Sequence, residues 1–134
     1  MDESYNKQLI MMKKILIVED EPIIADDLAF IIQDFGYEVF EPCMDVREAE
    51  LCISDSIPDL ALIDINLKGD LNGIDLARLI NSKYHFPFIF LTSVGDKASM
   101  TEIHATQPIA LVGKPFKERE LKRTIEMAFR QRTS

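Results

Sequence analysis

Leu60-Ala61-Leu62-Ile63-Asp64-Ile65-Asn66-Leu67 places a single acid near the end of an otherwise apolar run. Apolar residues on both sides of Asp64 predict a central strand of a parallel sheet, covered on both faces, whose end emerges at the rim. A carboxylate in that place calls for a compensating group. Two other stretches bring one: Ile15-Leu16-Ile17-Val18 runs into Glu19-Asp20-Glu21, and Leu111-Val112-Gly113 runs into Lys114-Pro115-Phe116. If the three strands are parallel neighbours, their C-terminal ends gather several carboxylates and one ammonium in one crevice, where open α/β sheets keep their sites. Like charges packed that closely repel unless a cation joins them.

The chain of 134 residues suits one domain with a sizeable core, and 47% hydrophobic with 28% charged residues is ordinary for a globular protein. Fifteen basic against 23 acidic residues give a net charge of -8, which argues against direct contact with nucleic acid. The one basic cluster, Lys114, Lys117, Arg119, Lys122 and Arg123, is interleaved with Glu118, Glu120 and Glu126 and reads as a solvated helix face. Cys43 and Cys52 have neither a redox nor a zinc spacing and read as buried or half-buried thiols. No apolar run approaches the roughly 20 residues of a membrane span, so no membrane partner is expected. Residues 1–14 lack the pattern of an export signal, which makes a cytoplasmic protein the expectation.

In chain order, residues 1–12 read as a disordered leader. Lys13 to Val18 is a first strand; Pro22 opens a helix carrying Ile23, Ile24, Leu28, Ile31, Ile32 and Phe35 at helical spacing, and Gly36 closes it. Tyr37 to Phe40 is a short second strand, and Val46 to Cys52 a second helix with Asp45 as N-cap. After the central strand, the loop Leu67 to Gly73 precedes a third helix with Ile74, Ala77, Leu79 and Ile80 on its apolar side. Phe88 to Leu91 is a fourth strand that delivers Thr92 and Ser93 to the rim. Lys97 to Ala105 makes a helix with a thin apolar face, Ile109 to Val112 a fifth strand, and Glu118 to Phe129 a last helix. Strictly alternating strands and helices indicate a doubly wound parallel sheet.

Taken singly, each acid is commonplace in a strand-to-helix loop, where it favours the positive start of a helix. Their convergence with one lysine is what points to chemistry. Hard oxygen ligands suit magnesium better than zinc, and His85 and His104 lie away from the strand ends. The arrangement suits phosphoryl transfer to Asp64: Asp20 and Asp64 bind magnesium directly, Glu19 directly or through water, and the Asn66 carbonyl adds an oxygen. Lys114 pairs first with the carboxylate and then with the phosphoryl group, to which Thr92 donates its hydroxyl.

From Lys13 to about Arg130 the chain resembles the receiver domain of two-component response regulators, the CheY-like superfamily. Lys14-Ile-Leu-Ile-Val-Glu-Asp-Glu-Pro22 matches the family's acid-bearing first strand, Leu62-Ile-Asp-Ile-Asn-Leu67 its phosphoacceptor strand, Thr92-Ser93 its hydroxyl position, and Lys114-Pro115-Phe116 its lysine followed by a cis peptide. The resemblance implies a receiver domain over residues 13–132, with a flavodoxin-like sheet of five parallel strands in the order 2-1-3-4-5 and five helices. It implies Mg2+ dependence, a histidine kinase or histidine phosphotransfer protein as donor docking on the first helix, and slow loss of the phosphoryl group. It also implies a homodimer or output contact through the fourth helix, fifth strand and fifth helix. The segment from Asn66 to Ile74 is similar to receivers joined to LytTR-type DNA-binding domains or to sensor kinases. No output segment follows the last helix, so a stand-alone receiver and the receiver part of a longer regulator are both open.

Leu111 departs from the family, which carries Tyr, Phe or His three residues before the lysine. With no ring to turn inward, the aromatic half of the usual switch is missing, while the reacting groups are intact. Gly113 is a poor strand-interior residue. A magnesium-dependent phosphatase would need a further acid or base near Asp64, but position 66 is Asn and no insertion is long enough for a cap. A receiver-like module acting through its surfaces alone draws support from Leu111, and the intact acids, Thr92 and Lys114 oppose it. A flavin phosphate would be repelled by Glu19-Asp20-Glu21.

Overall fold

The computed structural model describes residues 12–132. Its elements are β1 (Lys14–Val18), α1 (Pro22–Asp34), β2 (Glu38–Val39), α2 (Val46–Asp55), β3 (Leu60–Asp64), α3 (Gly73–Leu79, extended by a π-helical turn over Ile80–Tyr84), β4 (Phe88–Thr92), α4 (Met100–Ala105), β5 (Ala110–Gly113) and α5 (Glu118–Arg132). All strand pairs are parallel, in the order β2-β1-β3-β4-β5. This is the doubly wound, flavodoxin-like sheet with five helices. Of the expected leader, only Met12 lies within the described residues.

Alternation along the strands separates two cores. Ile15, Ile17, Leu60, Leu62, Ile89, Leu91 and Val112 pack against Leu28 and Ile32 of α1 and Leu121, Ile125 and Ala128 of α5. Leu16, Val18, Ala61, Ile63, Phe88 and Phe90 pack against Val46, Ala49 and Ile53 of α2, Ile74, Ala77 and Ile80 of α3, and Ile103 of α4. Each Val, Leu, Ile or Phe side chain among them contributes about 1.5–3 kcal/mol when fully buried, so the two-sided strands dominate stability and fix their own register.

Several boundaries differ from those expected. β1 starts at Lys14, β2 keeps only two residues, and β3 stops at Asp64 because Ile65 and Asn66 turn away. α2 runs on to Asp55 and α5 to Arg132. α4 begins only at Met100, where Ser99 caps it by accepting from Glu102 N–H (3.1 Å), and its one buried side chain is Ile103. β5 includes Gly113, paired in register with Thr92, and leaves Ile109 outside. Ile23 is 85% exposed rather than part of the apolar face, since α1 buries Ala25, Leu28 and Ile32 on the opposite side. Ile23 and Phe30, seven residues apart, share that outward face.

The expected ends of the helices are otherwise realised. Pro22 sits in the first turn of α1, Asp45 accepts from Glu48 N–H (2.9 Å) at α2, and Gly36 follows the last turn of α1 at φ +104°. That left-handed geometry strains any residue with a Cβ. Gly36→Ala is therefore expected to destabilise the chain by about 1 kcal/mol in urea unfolding; an unchanged midpoint would show that α1 does not depend on this turn.

Candidate functional site

The alternation that divides the cores also aims the site. Ile15 and Ile17, Leu60 and Leu62, and Val112 all face α1 and α5, and the same phase carried on reaches Glu19, Asp64 and Lys114. Register puts those three positions side by side, since Val18 pairs with Ile63, Asp64 with Leu91 and Thr92 with Gly113. Lys114 Nζ accordingly lies between two carboxylates. It donates to Glu19 Oε1 and stands 3.1 Å from Asp64 Oδ2, with Glu19 fully buried and Asp64 nearly so. The Lys114–Pro115 peptide is cis.

Backbone amides hold the remaining carboxylate oxygens. Glu21 N–H donates to Glu19 Oε2 (3.2 Å), Asn66 N–H to Asp64 Oδ1 (3.0 Å) and Lys68 N–H to Asp20 Oδ2 (2.8 Å). One ligand oxygen from each of Glu19, Asp20 and Asp64 lies within 4.8 Å of the others. This is an acidic cluster of hard anionic oxygens, of a kind that could hold Mg2+, open on one side to a crevice of about 430 Å3 lined by Asp20, Asp64, Asn66, Ser93, Asp96 and Lys114, among others. The donor set fits a magnesium ion with water completing its shell.

Of the residues named from sequence, Glu19, Asp20, Asp64 and Lys114 are brought together, and Asn66 lines the crevice. Thr92 ends β4 half-buried, its hydroxyl leaning on the Val112 carbonyl at 3.5 Å, a long and weak bond. Leu111 packs half-buried against the core under α2, α3 and α4, next to Phe90 across the sheet. His85 and His104 are exposed, and Cys43 and Cys52 are free thiols, burial pushing Cys43 up to about 12. Sequence reasoning missed the parts played by Lys68 and Gly73, because they act through backbone atoms, which composition does not mark. It also missed the N-terminal box of α3, where Asn72 accepts from Asp75 N–H and Asp75 accepts from Asn72 N–H, although Asn-x-x-Asp carries a recognisable capping pattern.

Beside the crevice, Ile23, Ile24, Ile31, Pro115 and Phe116 line an apolar groove of about 450 Å3, with Asp27, Lys114 and Glu118 at its edges. Among the described residues no helix is long and apolar enough to cross a membrane.

Residues 15–126 match the family described as "Response regulator receiver domain". Similar solved structures include the signal receiver domain of a modulated diguanylate cyclase from Desulfovibrio desulfuricans G20, 33% identical over 91% of this chain and 97% of that one, with a TM-score of 0.84. The N-terminal domain of a response regulator/sensory box/GGDEF 3-domain protein from Carboxydothermus hydrogenoformans is 34% identical over 90% of this chain and 97% of its own (TM-score 0.83). The receiver domain of NtrX from Brucella abortus is 31% identical over 85% and 96% (TM-score 0.78).

With three carboxylates clustered and one ammonium paired to two of them, the site carries excess negative charge. Burial first, and the neighbouring Asp64 carboxylate next, raise Glu19 from 4.5 to about 7 against the pull of Lys114; Lys114, despite its own burial, is raised by Glu19 and Asp64. A carboxyl group raised in the folded state binds its proton more tightly there than in the unfolded chain. Its contribution to stability is present below pH 4.5 and is lost as pH rises through about 7. Urea unfolding of the metal-free protein between pH 5 and 7.5 is expected to show stability falling with pH, and Glu19→Gln to flatten that slope; equal slopes would remove Glu19 as its source.

Proposed function

The chain belongs to the response regulator receiver domain family, and on that premise we propose that Asp64 accepts a phosphoryl group from the phosphohistidine of a histidine kinase or histidine phosphotransfer protein. The observation that carries this reading is the placement of Lys114 Nζ between Glu19 and Asp64, with Asp20 at the open edge of the same crevice. A carboxylate oxygen of Asp64 forms the bond to phosphorus as the bond to the donor's imidazole nitrogen breaks in line, leaving the imidazole with the donor. The acyl phosphate is later lost to water, returning the carboxylate and inorganic phosphate.

Asp20 and Asp64, with Glu19 directly or through water and the Asn66 carbonyl, are the groups that would hold Mg2+, which supplies positive charge against the phosphoryl oxygens when bound. Asn66 N–H keeps the Asp64 carboxylate from rotating. Lys114, anchored on Glu19, exchanges its contact with Asp64 for one with a phosphoryl oxygen. Thr92 gives up only a long bond to Val112 when its hydroxyl turns to the same group. Leu111 offers no ring and no hydrogen bond, so coupling to the outer face passes through the Thr92 hydroxyl, the freed Val112 carbonyl and the β4–α4 loop.

The phosphodonor docks on α1 and the groove beside Lys114, where Ile23 is exposed within reach of the crevice. The face of α4, β5 and α5 remains for an output partner or a second copy, supported by β5 being an edge strand and by the exposed Met100.

Incubation with Mg2+ and acetyl phosphate is expected to add about 80 daltons to the intact mass, lost in Asp64→Asn and without magnesium. Repeated absence of the adduct in folded, magnesium-binding protein would favour a module that works through its surfaces alone. Ile23→Glu is expected to slow transfer from a phosphorylated donor protein at least tenfold and to leave the acetyl phosphate reaction unchanged; equal loss in both assays would contradict docking at α1.

A further inference from the structure

Asp64 and Asp20 are held by one loop, and that loop is closed at a single residue. Residues 66–72 leave the end of β3 and return at Gly73, whose N–H donates to the Ile65 carbonyl (3.0 Å). Within this closed turn, Asn66 N–H holds Asp64 Oδ1 and Lys68 N–H holds Asp20 Oδ2. Leu67, between them, is buried in the core, so the loop is anchored at its middle as well as at its ends.

Gly73 is buried, and a Cβ on it would stand 2.4 Å from the Asp64 carbonyl oxygen, 2.8 Å from Ile65 Cα and 3.1 Å from the Asp64 carbonyl carbon. All three are backbone atoms of the peptide that carries Asp64, so no side chain can swing aside to make room. α3 cannot retreat either, because Ile74, Leu76 and Ala77 directly after Gly73 are buried in the same core. The displacement must fall on the loop.

Building on the phosphoacceptor reading, we propose that Gly73 is a positioning residue: its missing side chain lets α3 close against the Asp64 peptide, and the closed loop sets the two carboxylates that bind the metal. Glu19 is outside this control, since its amide contact comes from Glu21 after β1. The chain therefore contains its own reference bond.

The test is Gly73→Ala in the full chain, followed by backbone amide NMR with and without Mg2+. The amides of Asn66 and Lys68 are expected to move toward values for amides not bonded to a carboxylate, that of Glu21 to stay, and magnesium affinity to fall about tenfold or more. Ile125→Val in α5 serves as a control for stability alone and is expected to leave all three amides and the affinity unchanged. A folded Gly73→Ala protein with Asn66 and Lys68 unmoved and magnesium affinity within twofold would overturn the proposal, as would equal movement of Glu21 or an equal loss in Ile125→Val. If Gly73→Ala does not fold, hydrogen exchange in the unsubstituted chain decides: opening of Gly73, Asn66 and Lys68 at one common rate supports the proposal, and Asn66 and Lys68 opening while Gly73 stays closed overturns it. These readouts need no phosphoryl donor, so a chain that takes no phosphoryl group would count against the phosphoacceptor reading and leave the role of Gly73 to be judged by its amides.

Discussion

The ammonium of Lys114 stands between the carboxylates of Glu19 and Asp64 at a place where water hardly reaches either. Burying one unpaired carboxylate costs several kcal/mol, a large part of the net stability of a domain this size. Two in contact are tolerated only because Lys114 is there, and even so the pair holds more negative charge than one ammonium cancels. Burial first, and the neighbouring Asp64 carboxylate next, raise Glu19, while Lys114 is raised by Glu19 and Asp64 despite its own burial. A divalent cation would relieve the excess negative charge, which is what the proposed uptake of magnesium and then a phosphoryl group requires.

Meeting that constraint falls to the sheet. β1, β3 and β5 each end in phase, and parallel register brings their ends level. The loops then do the finer work through backbone amides from Glu21, Asn66 and Lys68, which hold each carboxylate without adding charge. The close approach at Gly73 ties the β3–α3 loop to the Asp64 peptide, which links helix packing to the aim of the acids. On the other face, Thr92 and Leu111 continue the phase of Phe90 toward α4, a helix of six residues with Ile103 as its one buried side chain. Glu19 and Asp64 thus sit at the ends of the deeply buried β1 and β3, Lys114 follows the edge strand β5, and the way toward the other face crosses one of the least anchored elements.

The strands were readable because burial on both faces leaves near-continuous apolar runs, and the order of acids and lysine at their ends then located the site. The helix faces were less legible. Ile23 stands eight residues before Ile31, a helical spacing, yet the buried stripe is Ala25, Leu28 and Ile32; a small alanine marks the contact, and the larger isoleucine lies outside. Such an inversion is invisible to a count of apolar residues. Gly113, a poor residue for a strand interior, is nonetheless paired with Thr92, since an edge strand can accept a residue without a side chain. Gly73 ends the loop that follows the central strand, and its need is for space against the Asp64 peptide. Sequence reports which side chains are present, and contacts made by the backbone or by a missing Cβ have no letter of their own.

Fluorine NMR of the chain with Mg2+ and beryllium fluoride, an analogue of the phosphoryl group, tests the central claim most directly. The account predicts bound fluorine resonances in the unsubstituted protein that vanish without magnesium, in Asp64→Asn and in Lys114→Ala, provided each variant is folded. Folded, magnesium-binding protein with no bound resonance, or with one that survives Asp64→Asn, would contradict it.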